Sequence, residues 1–267
     1  EWARLNGRPE AWKDWWFDKE TKLIHFIGKD NIIFHTIVWP AMLMGQDKPY
    51  ILPENVPGNE FYNLEGRQFS KSEGWYIDTA DFFSKYGVDA LRYAIASNGP
   101  ETSDSQFTWE DFQARNNELA DSLGNLVNRC FSFIKKNFEG KIPAVVELQP
   151  EDKALLDSFT PVFDEVGRSY YSYRVRAALA QTMALAHAAN KYINDTAPWK
   201  LRKTDLARCG TVLNVASRAI INAAILLYPV VPDTALKILG KAGLHSDDKA
   251  PEFKPFTGDL SGRLLGA

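Results

Sequence analysis

From Trp109 to Phe138 the chain repeats apolar side chains at helical steps: Phe112, Leu119, Leu123, Leu126, Val127, Cys130, Phe131 and Ile134 form one stripe. A stripe of that length has to be covered along its whole face, and the sequence downstream supplies the cover. Further helices are expected over roughly 152–169, 172–195, 205–228 and 233–242, with breaks at Pro150, Pro198, Pro229 with Pro232, and Gly243. A helix over Asp81 to Ser97 precedes them and stops at Asn98-Gly99-Pro100, and no strand-like segment of comparable strength follows Asp78. The pattern predicts an antiparallel bundle of about four or five helices joined by short loops.

The first part of the chain has a different texture. Residues 1–30 are rich in tryptophan and lead into Leu23-Ile24-His25-Phe26-Ile27, a short strand pattern that ends at Gly28. Asp30 is placed to cap a helix over Asn31 to Met44, which Gly45 ends. Such a strand-glycine-helix unit belongs to α/β folds. Proline and glycine crowd residues 49–58, and Glu60 to Glu65 reads as a strand running into the loop Gly66-Arg67-Gln68-Phe69-Ser70-Lys71-Ser72-Glu73-Gly74. The fold class is therefore mainly α, with a partial α/β region first and a helical bundle after it.

Composition limits the function classes. Acidic residues outnumber basic ones 34 to 31, so a nucleic-acid partner has to be held by a local patch or by base contacts rather than by net charge. Cys130 and Cys209 stand singly, which argues against a disulfide framework or a zinc knuckle within these residues and fits a reducing cytoplasm. Polar and charged residues interrupt every apolar run, so no membrane span is expected. No internal repeat or low-complexity segment is present.

Two places carry chemistry. A lysine on a glycine-flanked loop can swing onto an anionic transition state and withdraw, and Lys71 sits in that setting. On the long helix, Ser122, Asn125, Arg129, Ser132 and Lys136 fall on one polar face opposite the apolar stripe. Read without relatives, the loop is equally a solvated surface turn, the polar face a solvated helix side, and Trp199 a core residue after a proline break.

Six short segments occur in a familiar order: Phe26-Ile27-Gly28-Lys29-Asp30, Phe34-His35, Trp39-Pro40-Ala41-Met42-Leu43, Phe69-Ser70-Lys71-Ser72, Gly87-Val88-Asp89-Ala90-Leu91-Arg92-Tyr93 and Ala197-Pro198-Trp199. In register they resemble methionyl-tRNA synthetase, a class I aminoacyl-tRNA synthetase, to about residue 240. The resemblance implies a remnant of a Rossmann-like catalytic domain with its stem-contact region over 1–98, a helical anticodon-binding domain over 99–243, and a tail over 244–267. It implies that Ser70, Lys71 and Ser72 are the mobile signature loop, here with Gln68 and Phe69 where the family usually has Lys and Met. A lysine there stabilises the charge that spreads over departing pyrophosphate when the methionine carboxylate attacks ATP.

By the same resemblance Gly28 and Asp30 lie beside the adenosine ribose, Phe34 and His35 line the methionine pocket, and Asn125, Arg129 and Trp199 read the CAU anticodon of tRNA(Met). Lys191, Lys200, Arg202 and Lys203 would meet the RNA backbone, and Asp89 and Arg92 form either a structural pair or an RNA contact. ATP with Mg2+ is the implied cofactor, and zinc belongs only to an upstream part. The family's His-Ile-Gly-His motif has no counterpart here, so the expectation is the rear portion of a methionine–tRNA ligase, inactive alone. A noncatalytic tRNA-binding or protein-interaction paralogue and a class I synthetase for another bulky apolar amino acid stay open at this stage, as does oligomeric state.

Overall fold

The structure, a computed structural model, describes residues 1–244 and 249–266. The chain divides into two compact units: Glu1–Gln68 with Pro100–Gln106, and Phe69–Gly99 with Phe107–Ala267.

The first unit begins with two short helices, α1 (Trp2–Leu5) and α2 (Lys13–Trp16). The strand expected over 23–27 is two short strands, β1 (Leu23–Ile24) and β2 (Ile27–Gly28). Each pairs in parallel with a partner from the proline- and glycine-rich stretch, β1 with β3 (Pro53–Asn55) and β2 with β4 (Gly58–Asn59). His25 N donates to Asn55 O at 3.0 Å and Ile27 N to Pro57 O at 3.2 Å, so Pro57 serves the ladder through its carbonyl and the amide it lacks is not needed there. The last pair is β5 (Tyr62–Leu64) with β6 (Ser105–Phe107), a strand in a region where none was expected. Asp30 does not cap the following helix; it lies within a 3₁₀ turn, Lys29–Asn31. The helix itself contains a π-helical turn, Phe34–Val38, before α3 (Trp39–Met44). Trp12, Phe17 and Tyr50 pack with ring centroids 5.0–6.4 Å apart, a small aromatic core for this unit.

The second unit is the helical bundle. The helix expected over 81–97 is two, α4 (Thr79–Lys85) and α5 (Val88–Ser97), because Gly87 is extended and the chain turns there. The long periodic stretch forms α6 (Trp109–Leu119), a π-helical turn over Ala120–Gly124, and α7 (Asn125–Asn137). Its stripe is buried as the period requires, from Phe112 through Leu123, Leu126, Cys130 and Ile134. Then follow α8 (Pro150–Asp157), α9 (Phe159–Tyr171), α10 (Val175–Thr196), α11 (Pro198–Thr204), α12 (Leu206–Leu227) and α13 (Pro232–Lys241).

Helix α12 is the centre of the bundle: from Cys209 to Leu227 every residue except Arg218 is buried. Among the described residues it is the one helix long and apolar enough to cross a membrane, which corrects the expectation that polar residues break every such run. The polar residues on it are spent on loops: Asn214 Nδ2 donates to Pro143 O at 2.7 Å, Thr211 Oγ1 accepts from Val146 N at 3.1 Å, and Asn222 Oδ1 accepts from Phe256 N at 2.7 Å. At its start Arg208 meets the fully buried Asp152 of α8 through two bonds of 2.5 and 2.9 Å, and Tyr192 of α10 donates to the same carboxylate at 2.5 Å.

The end of the chain packs on the bundle. Ile142 N donates to Arg263 O, Gly262 N to Ile142 O and Leu265 N to Gly140 O, each at 2.8 Å, while Leu260 and Leu265 are buried in the bundle. Of the tail expected over 244–267, residues 245–248 and 267 lie outside the described residues.

Candidate functional site

In the first unit Gly28 closes β2, and a Cβ built there would lie 2.7 Å from Asp30 Oδ1. The bare Gly28 leaves room for that carboxylate to turn back over the strand end, where Asp30 is exposed to solvent. Lys29 is held by Glu60 and by Asp104 Oδ1, the latter at 3.0 Å, with Phe61 N donating to the same Asp104 oxygen at 2.9 Å and the Phe61 ring under the ammonium at 4.4 Å. The Glu60 and Asp104 carboxylates raise the Lys29 pKa, and Lys29 with the Phe61 amide lowers that of Asp104. Phe34 and His35 sit on the π-helical turn. Phe34 is exposed, whereas His35 is half-buried with its Nδ1 3.0 Å from Nδ1 of His25 and the two rings edge to face. Two nitrogens at that distance need one donor and one acceptor, so the pair holds one proton between them. Partial burial, then the neighbouring His35, lower the His25 pKa.

Leu64 and Arg67 exchange backbone bonds of 2.7 and 3.0 Å around Glu65 and Gly66, whose φ values are 49° and 78°. Two consecutive positive φ values make a tight hairpin turn, so Gly66 has a turn to form. In the second unit Ser70 and Trp75 likewise exchange two bonds of 2.8 Å, Gly74 takes φ 67°, and Ser70 Oγ lies 3.2 Å from Ser72 Oγ. Lys71 and Ser72 ride exposed on the turn so formed. Among the described residues no group of three or more His, Cys, Asp or Glu side chains could hold a metal ion.

Two of the helical residues meet. The guanidinium of Arg129 lies 5.4 Å from the centroid of the Trp199 ring, within cation–π range, and its Nη2 donates to Asn194 Oδ1 at 2.9 Å. Asn125 is exposed one turn before Arg129 and donates to Asp121 Oδ1 at 3.3 Å. Trp199 is 41% exposed, with the buried Pro198 before it as the first residue of α11, so the tryptophan is not a core residue. Arg129 and Trp199 edge a cavity of about 160 Å³ whose floor is Cys130, Ile193 and Leu213. Cys130 is inert there, its thiol pushed up to about 12 by burial.

Lys191 pairs with Asp195 at 2.5 Å, while Lys200, Arg202 and Lys203 are exposed beside Trp199. Asp89 and Arg92 are not a pair: Asp89 accepts from Thr234 N at 2.6 Å, and Arg92 donates to Val230 O and Pro229 O at 2.6 and 2.9 Å, so both tie α5 to the start of α13. Sequence reasoning missed the face of α10 opposite the polar stripe. There His187 Nε2 lies 2.9 Å from Ser122 Oγ, Asn190 donates to the Ser122 carbonyl at 2.5 Å, and Asn194 holds Arg129. Their spacing of three and four residues was the available signal.

The chain is similar to known proteins. Residues 1–131 match the family described as tRNA synthetases class I (M). Residues 142–257 match the anticodon binding domain of methionyl tRNA ligase. The methionine–tRNA ligase of Protochlamydia amoebophila is 47% identical over 241 residues, 89% of this chain and 34% of the relative. That of Bacteroides fragilis is 46% identical over 245 residues, 91% of this chain and 36% of the relative. The Mycobacterium tuberculosis methionyl-tRNA synthetase in complex with methionyl-adenylate superposes with a TM-score of 0.83 at 33% identity, over 91% of this chain and 48% of that one. The chain belongs to the methionyl-tRNA synthetase family, with a Rossmann-like fragment followed by an anticodon-binding helical domain. It spans about a third of the length of the curated relatives it matches.

Proposed function

We propose that this chain is the part of a cytoplasmic methionine–tRNA ligase that supplies the signature lysine for ATP-dependent activation of methionine and recognises the CAU anticodon of tRNA(Met). The observation that carries the reading is the exposed Trp199 ring with the Arg129 guanidinium 5.4 Å from its centroid. Single-stranded RNA is read by splaying bases onto aromatic rings and bonding their edges, and Trp199, Arg129 and Asn125 offer a ring, a guanidinium and an amide on one surface. Lys200, Arg202 and Lys203 then meet phosphates and make affinity fall with salt.

In the activation step the methionine carboxylate attacks the ATP α-phosphorus and pyrophosphate leaves; Mg2+ arriving with ATP would supply charge neutralisation there. Lys71, exposed on its closed turn, binds the pyrophosphate as it departs, and Ser70 and Ser72 shape the turn. Gly28 and Asp30 hold the ribose, the carboxylate accepting from its hydroxyls, while Phe34 and His35 face the thioether of methionine, which gains from ring contact. On this reading residues 1–98 are catalytic and stem-contacting, and 99–243 bind the anticodon. The 267 residues alone bind RNA without catalysing ATP–pyrophosphate exchange, because Lys71 is the single group this reading assigns to the phosphates of ATP.

The test is binding of anticodon-loop hairpins to the chain. A CAU hairpin is expected to bind more tightly than one with a changed anticodon, and Trp199→Ala to weaken it by the roughly 1–3 kcal/mol that one stacked base contributes. Equal affinity for both hairpins overturns the anticodon reading, and pyrophosphate exchange by the purified chain overturns the division of labour.

A further inference from the structure

Ala197 has φ 44° and ψ 62°, the left-handed region, and is the single residue between α10 and α11. Alanine has no polar side chain to favour that region, and the residue before a proline is itself restricted, so the conformation is one the surroundings impose. The surroundings are visible. Ala197 N donates to Ile193 O at 3.0 Å, closing α10, and its carbonyl accepts from Lys200 N at 2.8 Å and Leu201 N at 3.3 Å, opening α11. Pro198 cannot continue α10 because it lacks the amide, and it is buried with its carbonyl accepting from Cys209 Sγ of α12 at 3.3 Å. The next residue is Trp199, whose ring meets Arg129, while Arg129 is anchored back to Asn194 near the end of α10. One backbone conformation therefore fixes the angle at which the tryptophan leaves the bundle.

We propose that Ala197 is a positioning residue for RNA recognition: its left-handed backbone aims Trp199 across Arg129, and the RNA-reading surface exists in assembled form only while that conformation is kept. The proposal rests on the anticodon reading above for its functional consequence, but not for its geometry. A helical or extended Ala197 would swing Trp199 off Arg129 and move Pro198 from its contact with Cys209 of α12. The requirement is for a backbone region, so tolerance at 197 follows left-handed propensity rather than side-chain size.

The experiment compares Ala197→Gly, Ala197→Asn and Ala197→Val by two readouts: affinity for the CAU hairpin, and the ring-current shift that Trp199 imposes on the Arg129 side chain by NMR. Glycine and asparagine enter the left-handed region readily, and both variants are expected to keep the shift and to bind within about twofold of the parent. Valine is β-branched and is excluded from it, so that variant is expected to lose the shift and to bind about tenfold more weakly. Equal harm from asparagine and valine, or a valine variant with shift and affinity intact, overturns the proposal. If the valine variant does not fold, loss of the shift in the glycine or asparagine variant still overturns it. A parent protein indifferent to anticodon sequence whose Arg129 shift follows the same ranking removes the anticodon reading and leaves the positioning role standing.

Discussion

The helix through α3 and the helix α12 are both written in apolar residues, yet the first shows them to solvent and the second hides them. Phe34, Ile37 and Met42 are 58, 63 and 63% exposed, whereas Leu213, Ile220 and Leu226 have at most 1% of their surface accessible. Apolar composition states that a face wants cover; it does not state where the cover comes from. In the bundle the cover is the neighbouring helices, and stability rests on burial. The first unit instead relies on short parallel ladders, a small aromatic cluster and the Lys29–Glu60–Asp104 ion pairs.

That contrast can be broken in order of effect. Asp152→Ala would leave Arg208 without its buried partner and is expected to cost about 4 kcal/mol of bundle stability, measured by urea unfolding. Leu126→Ala, at a fully buried position, should cost about 3 kcal/mol by the same measurement. Acid should separate the two units by smaller amounts. Burial, then His35, hold the His25 pKa below its ordinary value, so its contribution is complete above about pH 6.5 and is lost as pH falls through the lower folded value. Burial raises the Asp152 pKa, but Arg208, Tyr192 and the Gln149 amide outweigh it and hold the carboxyl below its ordinary range, so its share is complete above about pH 3.9 and is lost on further acidification. Site-resolved hydrogen exchange between pH 7 and 3 should therefore show the first unit loosening earlier. The smallest effect is expected at Ile37→Ser, within about 0.5 kcal/mol, because the side chain is already in water. A loss comparable to that of Leu126→Ala would show that the exposed face is covered in solution.

The bundle was legible because its period runs for many residues and its breaks carry prolines. The same reasoning merged α4 with α5, since the apolar pattern runs through Tyr86 and Val88 and only the extended Gly87 betrays the corner. It passed over β3 because Pro53 and Pro57 look like loop, although a proline is harmless where only its carbonyl is called on, as at Pro57. Asn125, Arg129 and Trp199 were named by resemblance, and the meeting of Arg129 with Trp199 depends on tertiary placement of α11, which no local pattern encodes. Asn194 was passed over because an asparagine on an exposed helix face is ordinary until its neighbour across the groove is known.

The π-helical turn at Ala120–Gly124 has one more effect. Each residue of an α-helix advances the azimuth by about 100°, so a turn that accommodates one extra residue rotates everything after it relative to everything before it. Remove a single residue from that turn, with Asn190 no longer meeting the Ser122 carbonyl, and Asn125 and Arg129 would rotate away from Trp199 by more than a quarter circle. The phase of Asn125 and Arg129 is thus set by one loosened coil upstream, and an insertion or deletion there would turn both side chains without touching either of them.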